Sequence, residues 1–137
     1  PLVDDFDGYY LYTRARGRRT AVKNFIMDGR IVVGVGNIYA SEALFRSGIR
    51  PTRAAGRIAL ERYSLLVTAI QTVLGEAIAA GGTTLRDYSR VTGEPGYFEQ
   101  ALKVYERQGL PCEVCGDLIN RKVIGQRASY YCPSCQH

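Results

Sequence analysis

The chain has 137 residues, of which 46% are hydrophobic and 23% are charged, and these fractions exclude a fibrous repeat and a disordered chain. Three lysines and 15 arginines outnumber 13 acidic side chains and give a net charge of +5, which favours a polyanionic partner. No stretch reaches the roughly 18 apolar residues that a membrane span requires, so the composition indicates a soluble domain, with or without a small appendage.

Three segments in the first half of the chain have helical periodicity. Residues 4–28 combine apolar side chains at helical spacing with a cluster of basic ones. A second helix is predicted from near Asn37 to Gly48, with Asn37 as its N-cap. The clearest helix covers residues 59–82, where the apolar side chains form one stripe and a pair of glycines ends the pattern.

Two glycines precede the predicted second helix. Gly34 and Gly36 let the backbone approach a partner closely, and the start of the following helix attracts anions, so a phosphate is a suitable ligand there. A tight turn between two packed helices explains the same residues equally well. The basic side chains upstream, Arg18, Arg19 and Lys23, favour the phosphate, because useful affinity for nucleic acid needs several phosphate contacts.

All four cysteines form two Cys-x-x-Cys pairs near the C-terminus. Cys112 and Cys115 are separated from Cys132 and Cys135 by 16 residues, a spacing typical of zinc ribbons. Two such pairs complete a closed, structural site for one zinc ion, with no open position for catalysis. Two disulfides are disfavoured without a secretory signal, and a redox-active pair would need a βαβ context that the sequence does not show.

The residues between the cysteine pairs predict a short β-hairpin. The stretches LINRKV and ASYY have strand character and flank a turn at Gly125. Arg127 lies near the tip of this hairpin, where a long cationic side chain can point outwards. His137, the only histidine, is expected to be an exposed tail residue rather than a zinc ligand. The predicted organisation is a helical domain over residues 1–109 and a four-cysteine zinc finger over residues 110–137.

Four sequence motifs occur in the same order as in a known enzyme family. They are TAVKNFIMDGRIVVGVGNIYASEALFRSGIRP, GGTTLRDY, GEPGYFEQALKVYERQGLPC and the finger CEVCG…QRASYYCPSCQ. Together they resemble the C-terminal part of bacterial formamidopyrimidine-DNA glycosylases, which excise oxidised purines such as 8-oxoguanine and formamidopyrimidines and nick the abasic strand. The resemblance implies a mainly α fold, with a helix-two-turn-helix helical domain followed by a small four-cysteine zinc-finger β-hairpin. The endonuclease VIII group shares both parts, but GGTT, PGYF and QRASYYC favour the formamidopyrimidine branch.

The resemblance also implies roles for individual residues. Asn37 corresponds to the helix-two-turn-helix asparagine that grips phosphates around the lesion, and Lys23 to a lysine near the DNA backbone. Arg18 falls where the family has a basic DNA-binding residue. Arg127 corresponds to the finger arginine that contacts the phosphates beside the flipped nucleotide and acts as a proton donor in δ-elimination. Residues 88–97 correspond to the loop that closes over the everted base.

The sequence departs from the family pattern in two places. Glu106 stands where the family usually has glycine, so a local turn is expected to differ. The family's nucleophile is an N-terminal proline followed by glutamate, and a lysine from an N-terminal β-sandwich assists it. Pro1 is followed instead by Leu2, and PLVDDFDG resembles the interdomain segment. We therefore expect Pro1 to be a point of truncation and the N-terminal catalytic domain to be missing from this chain.

The sequence leaves three functional interpretations open. In the first, the chain is the DNA-gripping half of a bifunctional DNA glycosylase and AP lyase of base excision repair, and the isolated half lacks glycosylase activity. In the second, it is a stand-alone zinc-dependent DNA-binding module, and in the third it is a zinc ribbon that binds protein. Under the first interpretation we expect a monomer that binds damaged double-stranded DNA and no membrane, in the bacterial cytoplasm and associated with the nucleoid.

Overall fold

The computed structural model of the chain describes residues 6–79 and 102–137, and these ranges contain helices and one two-stranded antiparallel sheet. The helices are α1 Gly8–Ala15, α2 Val22–Met27, α3 Asn37–Ser47 and α4 Leu60–Ala79, with a short 3-10 helix at Ala55–Arg57, and the strands are β1 Asn120–Ile124 and β2 Arg127–Tyr131. The predicted mainly α architecture with a C-terminal hairpin is therefore confirmed. The loop predicted over residues 88–97 lies outside the described residues.

The helices enclose one hydrophobic core. Leu66, Ile70 and Val73 of α4 are three or four residues apart, so they form one face of the helix, and all three are buried. They share this core with Leu11 of α1 and Leu44 of α3. Each aliphatic side chain that is fully buried contributes roughly 1.5–3 kcal/mol, so the predicted stripe of α4 is a major source of stability.

The start of α3 differs from the prediction in one respect. The helix begins at Asn37 and ends before Gly48, as expected, but its N-cap is Gly36 and no side chain caps it. The prediction of Asn37 as N-cap is therefore wrong. The physical reason is that the Asn37 carboxamide is hydrogen-bonded outside the helix, to the backbone carbonyl of Ala128 in β2.

The middle of α3 holds the segment that leads into the zinc finger. Glu42 is 1% exposed, and its carboxylate accepts hydrogen bonds from the backbone N–H groups of Lys103, Val104 and Tyr105 at 2.8–2.9 Å. Phe45, one turn further along α3, belongs to the small hydrophobic cluster of the finger. Residues that precede the cysteines are thus fixed to the helical body before the finger begins.

The C-terminal end of α3 contacts the last residues of the finger. The side chain of Gln136 is buried, where it donates to the Ile49 carbonyl at 2.8 Å and accepts from the Cys132 backbone N–H at 2.8 Å. The Arg50 side chain donates to the Pro133 carbonyl at 2.7 Å. The finger therefore packs along the whole of α3, and a domain boundary near residue 109 stays a prediction.

Candidate nucleic-acid interface and metal centre

The four cysteine sulfur atoms converge into one cluster. The Sγ atoms of Cys112, Cys115, Cys132 and Cys135 lie within 4.8 Å of one another, with 3.9 Å from Cys112 to Cys135 and 3.4 Å from Cys115 to Cys132. A tetrahedral zinc ion with Zn–S bonds of about 2.3 Å has sulfur–sulfur edges of about 3.8 Å, so the cluster has the size of a zinc site. All four are free thiols, at separations well beyond the roughly 2.05 Å of a disulfide. The predicted site for one structural zinc ion is confirmed.

Backbone amides favour metal binding at both cysteine pairs. The N–H of Val114 points at Cys112 Sγ and the N–H of Cys135 points at Cys132 Sγ, each at 3.4 Å. Burial raises the pKa of Cys112, but hydrogen bonds from the backbone N–H groups of Cys115 and Val114, together with those from the side chains of Cys132 and Cys115, lower it to about 7. The amides thus stabilise the thiolate that zinc binds. His137 is exposed and is not part of the cluster, as predicted.

The zinc-stapled hairpin has a two-residue turn that rests on α2. β1 and β2 pair in antiparallel register with Ile124 opposite Arg127, and Gly125 and Gln126 between them have φ values of 56° and 71°. Two consecutive positive φ values are typical of a tight hairpin turn of type I′. A Cβ atom on Gly125 would lie 2.5 Å from Asn24 Nδ2, so the turn contacts α2 closely and a larger residue would displace the Asn24 side chain. Arg127 follows the turn directly and is exposed, close to its predicted position.

Three residues that the resemblance connects with DNA meet beside this hairpin. Asn37 Nδ2 donates a hydrogen bond to the Ala128 carbonyl at 2.9 Å, and Lys23 Nζ donates to Asn37 Oδ1. Lys23 Nζ also lies 3.5 Å from the Ala128 carbonyl. Arg127 is the neighbour of Ala128 in the chain. We call Lys23, Asn37 and Arg127 the clip, since they come from α2, α3 and β2 and form one polar cluster.

The clip is strongly electropositive. Lys23 is buried, and its burial, together with the nearby charge of Arg127, lowers its pKa to about 8. The positive charges of Lys23 and Arg127 repel one another, and a bound anion would relieve this repulsion. The geometry therefore suits a phosphate, for which the exposed Arg127 guanidinium offers a bidentate contact and the buried Lys23 ammonium adds charge from behind.

Tyr105 supports the clip, and no sequence pattern points to it. The Tyr105 side chain lies beside Asn37, which opposes the rise in the pKa of Tyr105 that burial causes. The Tyr105 ring meets Tyr130 of β2 edge to face, with 5.0 Å between the ring centroids, and its backbone N–H is held by Glu42. Because these contacts join residues 25 to 68 positions apart in the chain, periodicity could not reveal them.

Arg18 stands apart from the clip. Its side chain is exposed, its Nε atom donates to the Arg14 carbonyl at 2.9 Å, and its guanidinium lies 5.6 Å from the centre of the Phe25 ring. None of the hydrogen bonds of Arg18 within the described residues reaches Lys23, Asn37 or Arg127.

Within the described residues, no helix combines the length and the apolar character needed to cross a bilayer.

Comparison with known proteins matches both parts of the chain to one group of enzymes. Residues 1–89 match the family described as "Formamidopyrimidine-DNA glycosylase H2TH domain", and residues 109–137 match "Zinc finger found in FPG and IleRS". The chain is 60% identical over 136 residues to the formamidopyrimidine-DNA glycosylase of Syntrophotalea carbinolica and 57% identical to that of Alcanivorax borkumensis. These matches cover 99% of the chain and 50–51% of the relatives, so the chain spans about half the length of the curated relatives it matches.

Solved structures agree with this assignment. The crystal structure of MutM (Fpg) from Thermus thermophilus superposes with a TM-score of 0.87 at 39% identity, covering 99% of this chain and 52% of that one. Lactococcus lactis Fpg, in complex with DNA that contains an abasic site, superposes with a TM-score of 0.88 at 29% identity, covering 99% and 50%. The zinc-site geometry, the family matches and these superpositions agree, and the chain belongs to the formamidopyrimidine-DNA glycosylase family.

Proposed function

We propose that the chain binds damaged double-stranded DNA through its clip, as a monomer, and that the complete protein is a bifunctional DNA glycosylase and AP lyase. The observation that carries the proposal is that the buried Lys23 and the half-buried Asn37 lie beside the backbone from which the exposed Arg127 extends. A guanidinium, an ammonium and a carboxamide drawn from three elements form a phosphate site that the zinc finger and the helical body build jointly.

The proposed mechanism assigns gripping to this chain. Excision of a base from a duplex requires the nucleotide to leave the stack, and the flipped state must be held by contacts to its phosphates. Arg127 supplies that contact, and by resemblance it serves as the proton donor in δ-elimination. Asn37 holds the backbone of β2 beside it, and Lys23 strengthens the positive field. Cys112, Cys115, Cys132 and Cys135 would hold a zinc ion with no open coordination position, and this metal would make the hairpin rigid.

The covalent step belongs to a part of the protein that the described residues do not contain. Formation of an imine with the abasic sugar needs an amine nucleophile, which the family resemblance assigns to an N-terminal proline followed by glutamate. We propose residues 1–109 and 110–137 as the two units of the DNA-gripping part, oxidised purines as the substrate class, and the bacterial cytoplasm, in association with the nucleoid, as the location. The substrate class is supported by relatives such as Lactococcus lactis Fpg, which was solved with Fapy-dG-containing DNA.

The binding part of the proposal is tested by titrating a duplex with a central abasic-site analogue at several salt concentrations. We expect the affinity to fall steeply with salt, because each neutralised phosphate contributes about 0.9 to the slope of log affinity against log salt. Arg127→Gln should lower this slope by about one, whereas Gln126→Ala, beside it in the same turn, serves as the matched control. A flat salt dependence would reject DNA as the partner and favour a zinc ribbon that binds protein.

The catalytic part is tested by borohydride trapping on an oligonucleotide with 8-oxoguanine. We expect no covalent adduct with the 137-residue chain, and an adduct when the chain is joined to the N-terminal half of a relative. An adduct with the chain alone would show that Pro1 is a nucleophile after all. Absence of an adduct in the joined protein would favour the second interpretation, a stand-alone DNA-binding module. The presence of the whole clip in this chain supports that alternative.

A further inference from the structure

Four arginines outside the clip form a second basic surface. Arg18 and Arg19 precede α2, and Arg53 and Arg57 lie before and at the end of the 3-10 helix, and all four are exposed. We call these four residues the arginine strip. Of these four, only Arg18 matches a DNA-binding position of the family by resemblance.

Backbone hydrogen bonds bring the two halves of the strip together. The N–H of Gly56 donates to the Arg18 carbonyl at 2.9 Å, and the N–H of Val22 donates to the Arg53 carbonyl at 2.7 Å. The fit at this seam is close, since a Cβ atom on Gly56 would lie 2.7 Å from the Arg18 carbonyl oxygen. The four arginines are therefore mounted on one tightly joined piece of backbone.

Within the described ranges, no ion pair neutralises the strip, although the Asp28 carboxylate, whose pKa is lowered chiefly by hydrogen bonds from Arg30, lies near enough to Arg18 for that charge to lower its pKa further. The ion pairs of the described residues join Arg30 to Asp28, Arg46 to Glu76 and Lys103 to Glu113, so none of them involves the strip. Repulsion within the region is also visible at Arg62, whose pKa is lowered first by burial and then by the charge of Arg53. Uncompensated like charges oppose folding, so their accumulation here is better explained by an external anion than by stability.

The neighbouring Arg16, by contrast, has a structural role. The Arg16 guanidinium donates to the carbonyls of Gly56 and Ile58 at 3.2 and 3.1 Å and stacks 3.8 Å from the centre of the Tyr12 ring. Its donors are used inside the protein. Among the contacts of residues 6–79 and 102–137, Arg18 makes one hydrogen bond of this kind, through Nε, which leaves its terminal amino groups to contact a phosphate.

The strip lies within reach of the clip. Arg19 is four residues before Lys23, and a chain of that length spans at most about 14 Å. At about 3.4 Å per base pair this span corresponds to about four base pairs, so one duplex is long enough to meet Arg19 and the clip together. We propose that the arginine strip binds the phosphate backbone of one arm of the same duplex, beyond the lesion. This inference rests on the proposed function and adds a second site to it.

The test compares a strip variant with a control of equal charge. Arg53→Gln/Arg57→Gln removes two charges from the strip, and Arg30→Gln/Arg46→Gln removes two that are already paired with carboxylates. Both variants of the full 137-residue chain are titrated with three duplexes: one with two long arms around a central abasic-site analogue, and two that are each trimmed close to the analogue on one side. With the long duplex, we expect the strip variant to lower the salt slope by about two and the control to leave it unchanged.

The trimmed duplexes decide whether the strip contacts one arm. We expect the strip variant and the unmodified chain to bind equally on one trimmed duplex and to differ on the other. A strip variant that binds every duplex as the control variant does would overturn the inference. An equal loss of affinity on both trimmed duplexes would also overturn it, as would the same loss of affinity for heparin alone. If Arg127→Gln also had no effect, the proposed function would fail; if Arg127→Gln weakened binding and the strip variant did not, only the strip would fail.

Discussion

The carboxamide of Asn37, at the first residue of α3, donates a 2.9 Å hydrogen bond to the backbone carbonyl of Ala128 in the zinc-stapled hairpin. Ala128 follows Arg127, so this bond fixes the backbone from which the Arg127 side chain extends. The same carboxamide accepts a hydrogen bond from Lys23. One side chain of the helical body therefore determines where the finger presents its arginine.

Replacing Asn37 with alanine should weaken DNA binding without releasing zinc. The change removes the partner that Lys23 Nζ and the Ala128 carbonyl share, keeps only their own 3.5 Å contact, and loosens the β2 backbone that presents Arg127. We expect the affinity to fall by roughly 5-fold, the equivalent of about 1 kcal/mol. Asn120→Ala, at the exposed start of β1, is the matched control. Fluorescence anisotropy with an abasic-site duplex and a zinc assay measure the two effects. Unchanged affinity in a folded, zinc-loaded Asn37→Ala protein would contradict the role of the clip.

The neutral Lys23 amine should take up a proton when DNA binds at alkaline pH. In the free protein burial and Arg127 lower its pKa from 10.5 to about 8, and a bound phosphate raises the pKa again. Binding is therefore accompanied by proton uptake between pH 8 and 10, and affinity falls as the pH rises through 8. Calorimetry in buffers of different ionisation enthalpy measures the uptake. Lys23→Met should abolish it, whereas Lys122→Met, on the exposed face of β1, should not.

The lowered pKa of Lys23 also makes the stability of the folded protein depend on pH. Because the folded state binds the Lys23 proton less tightly than the unfolded state, the unfolded chain holds more protons between the two pKa values. The contribution of Lys23 to the free energy of unfolding therefore rises with pH across this window, opposite to the behaviour of a lysine in a salt bridge. Below about pH 8 its burial opposes folding, so Lys23→Met should stabilise the free protein while it weakens DNA binding. If Lys23→Met lowered both the stability of the free protein and its DNA affinity, Lys23 would be needed for packing.

Replacing Glu106 with glycine should stabilise the protein. Glu106 has a φ of 57°, in the left-handed region where a residue with a Cβ atom is strained by roughly 1–2 kcal/mol. Glycine removes this strain but loses more chain entropy on folding, so we expect a net gain of up to about 1 kcal/mol. Gln108→Gly, two residues away with an ordinary φ, should destabilise instead. Thermal unfolding of the two variants distinguishes the effects, and destabilisation by both would contradict the strain.

The sequence predicts local features well and contacts between distant segments poorly. The stripe on α4 follows from its spacing, and the zinc site follows from two cysteine pairs whose ligand chemistry is nearly unique. The glycine expected at position 106 marks a left-handed turn that Glu106 adopts as well. Asn37 was predicted as a cap because that is its local preference, but a partner 91 residues away competes for its side chain. Such competition depends on the packed structure and leaves no periodic signal.

Replacing Glu42 with glutamine should weaken the contact between the finger and the helical body more than it changes the internal structure of either part. The buried carboxylate accepts three backbone hydrogen bonds from residues 103–105, and an amide in its place presents an NH₂ group to donors that need an acceptor. We expect a loss of about 2–3 kcal/mol of stability, because hydrogen bonds to charged groups are strong. Glu76→Gln removes an exposed carboxylate paired with Arg46 and should cost less than about 1 kcal/mol.

DNA affinity adds a second measurement for Glu42. Tyr105 is held by Glu42 through its N–H and supports Asn37 through its side chain, so Glu42→Gln should also weaken binding at temperatures where the protein is fully folded. Glu42→Asp, which keeps the charge, should restore part of the affinity. If Glu42→Gln lowers stability but leaves affinity and salt slope unchanged, the carboxylate stabilises the fold without positioning the clip.

Removal of zinc should release the hairpin and leave the helical core folded. The hydrophobic cluster of the finger is small and separate from the main core, so the hairpin depends on metal binding for its stability. A chelator or Cys132→Ser should therefore preserve most of the helical circular dichroism, abolish the amide protection of β1 and β2, and weaken DNA binding at least as much as Arg127→Gln. Val114→Ala, an exposed change inside the first cysteine pair, should keep one zinc ion per chain and normal affinity. A Cys132→Ser protein that retains a full zinc equivalent would contradict the four-cysteine site.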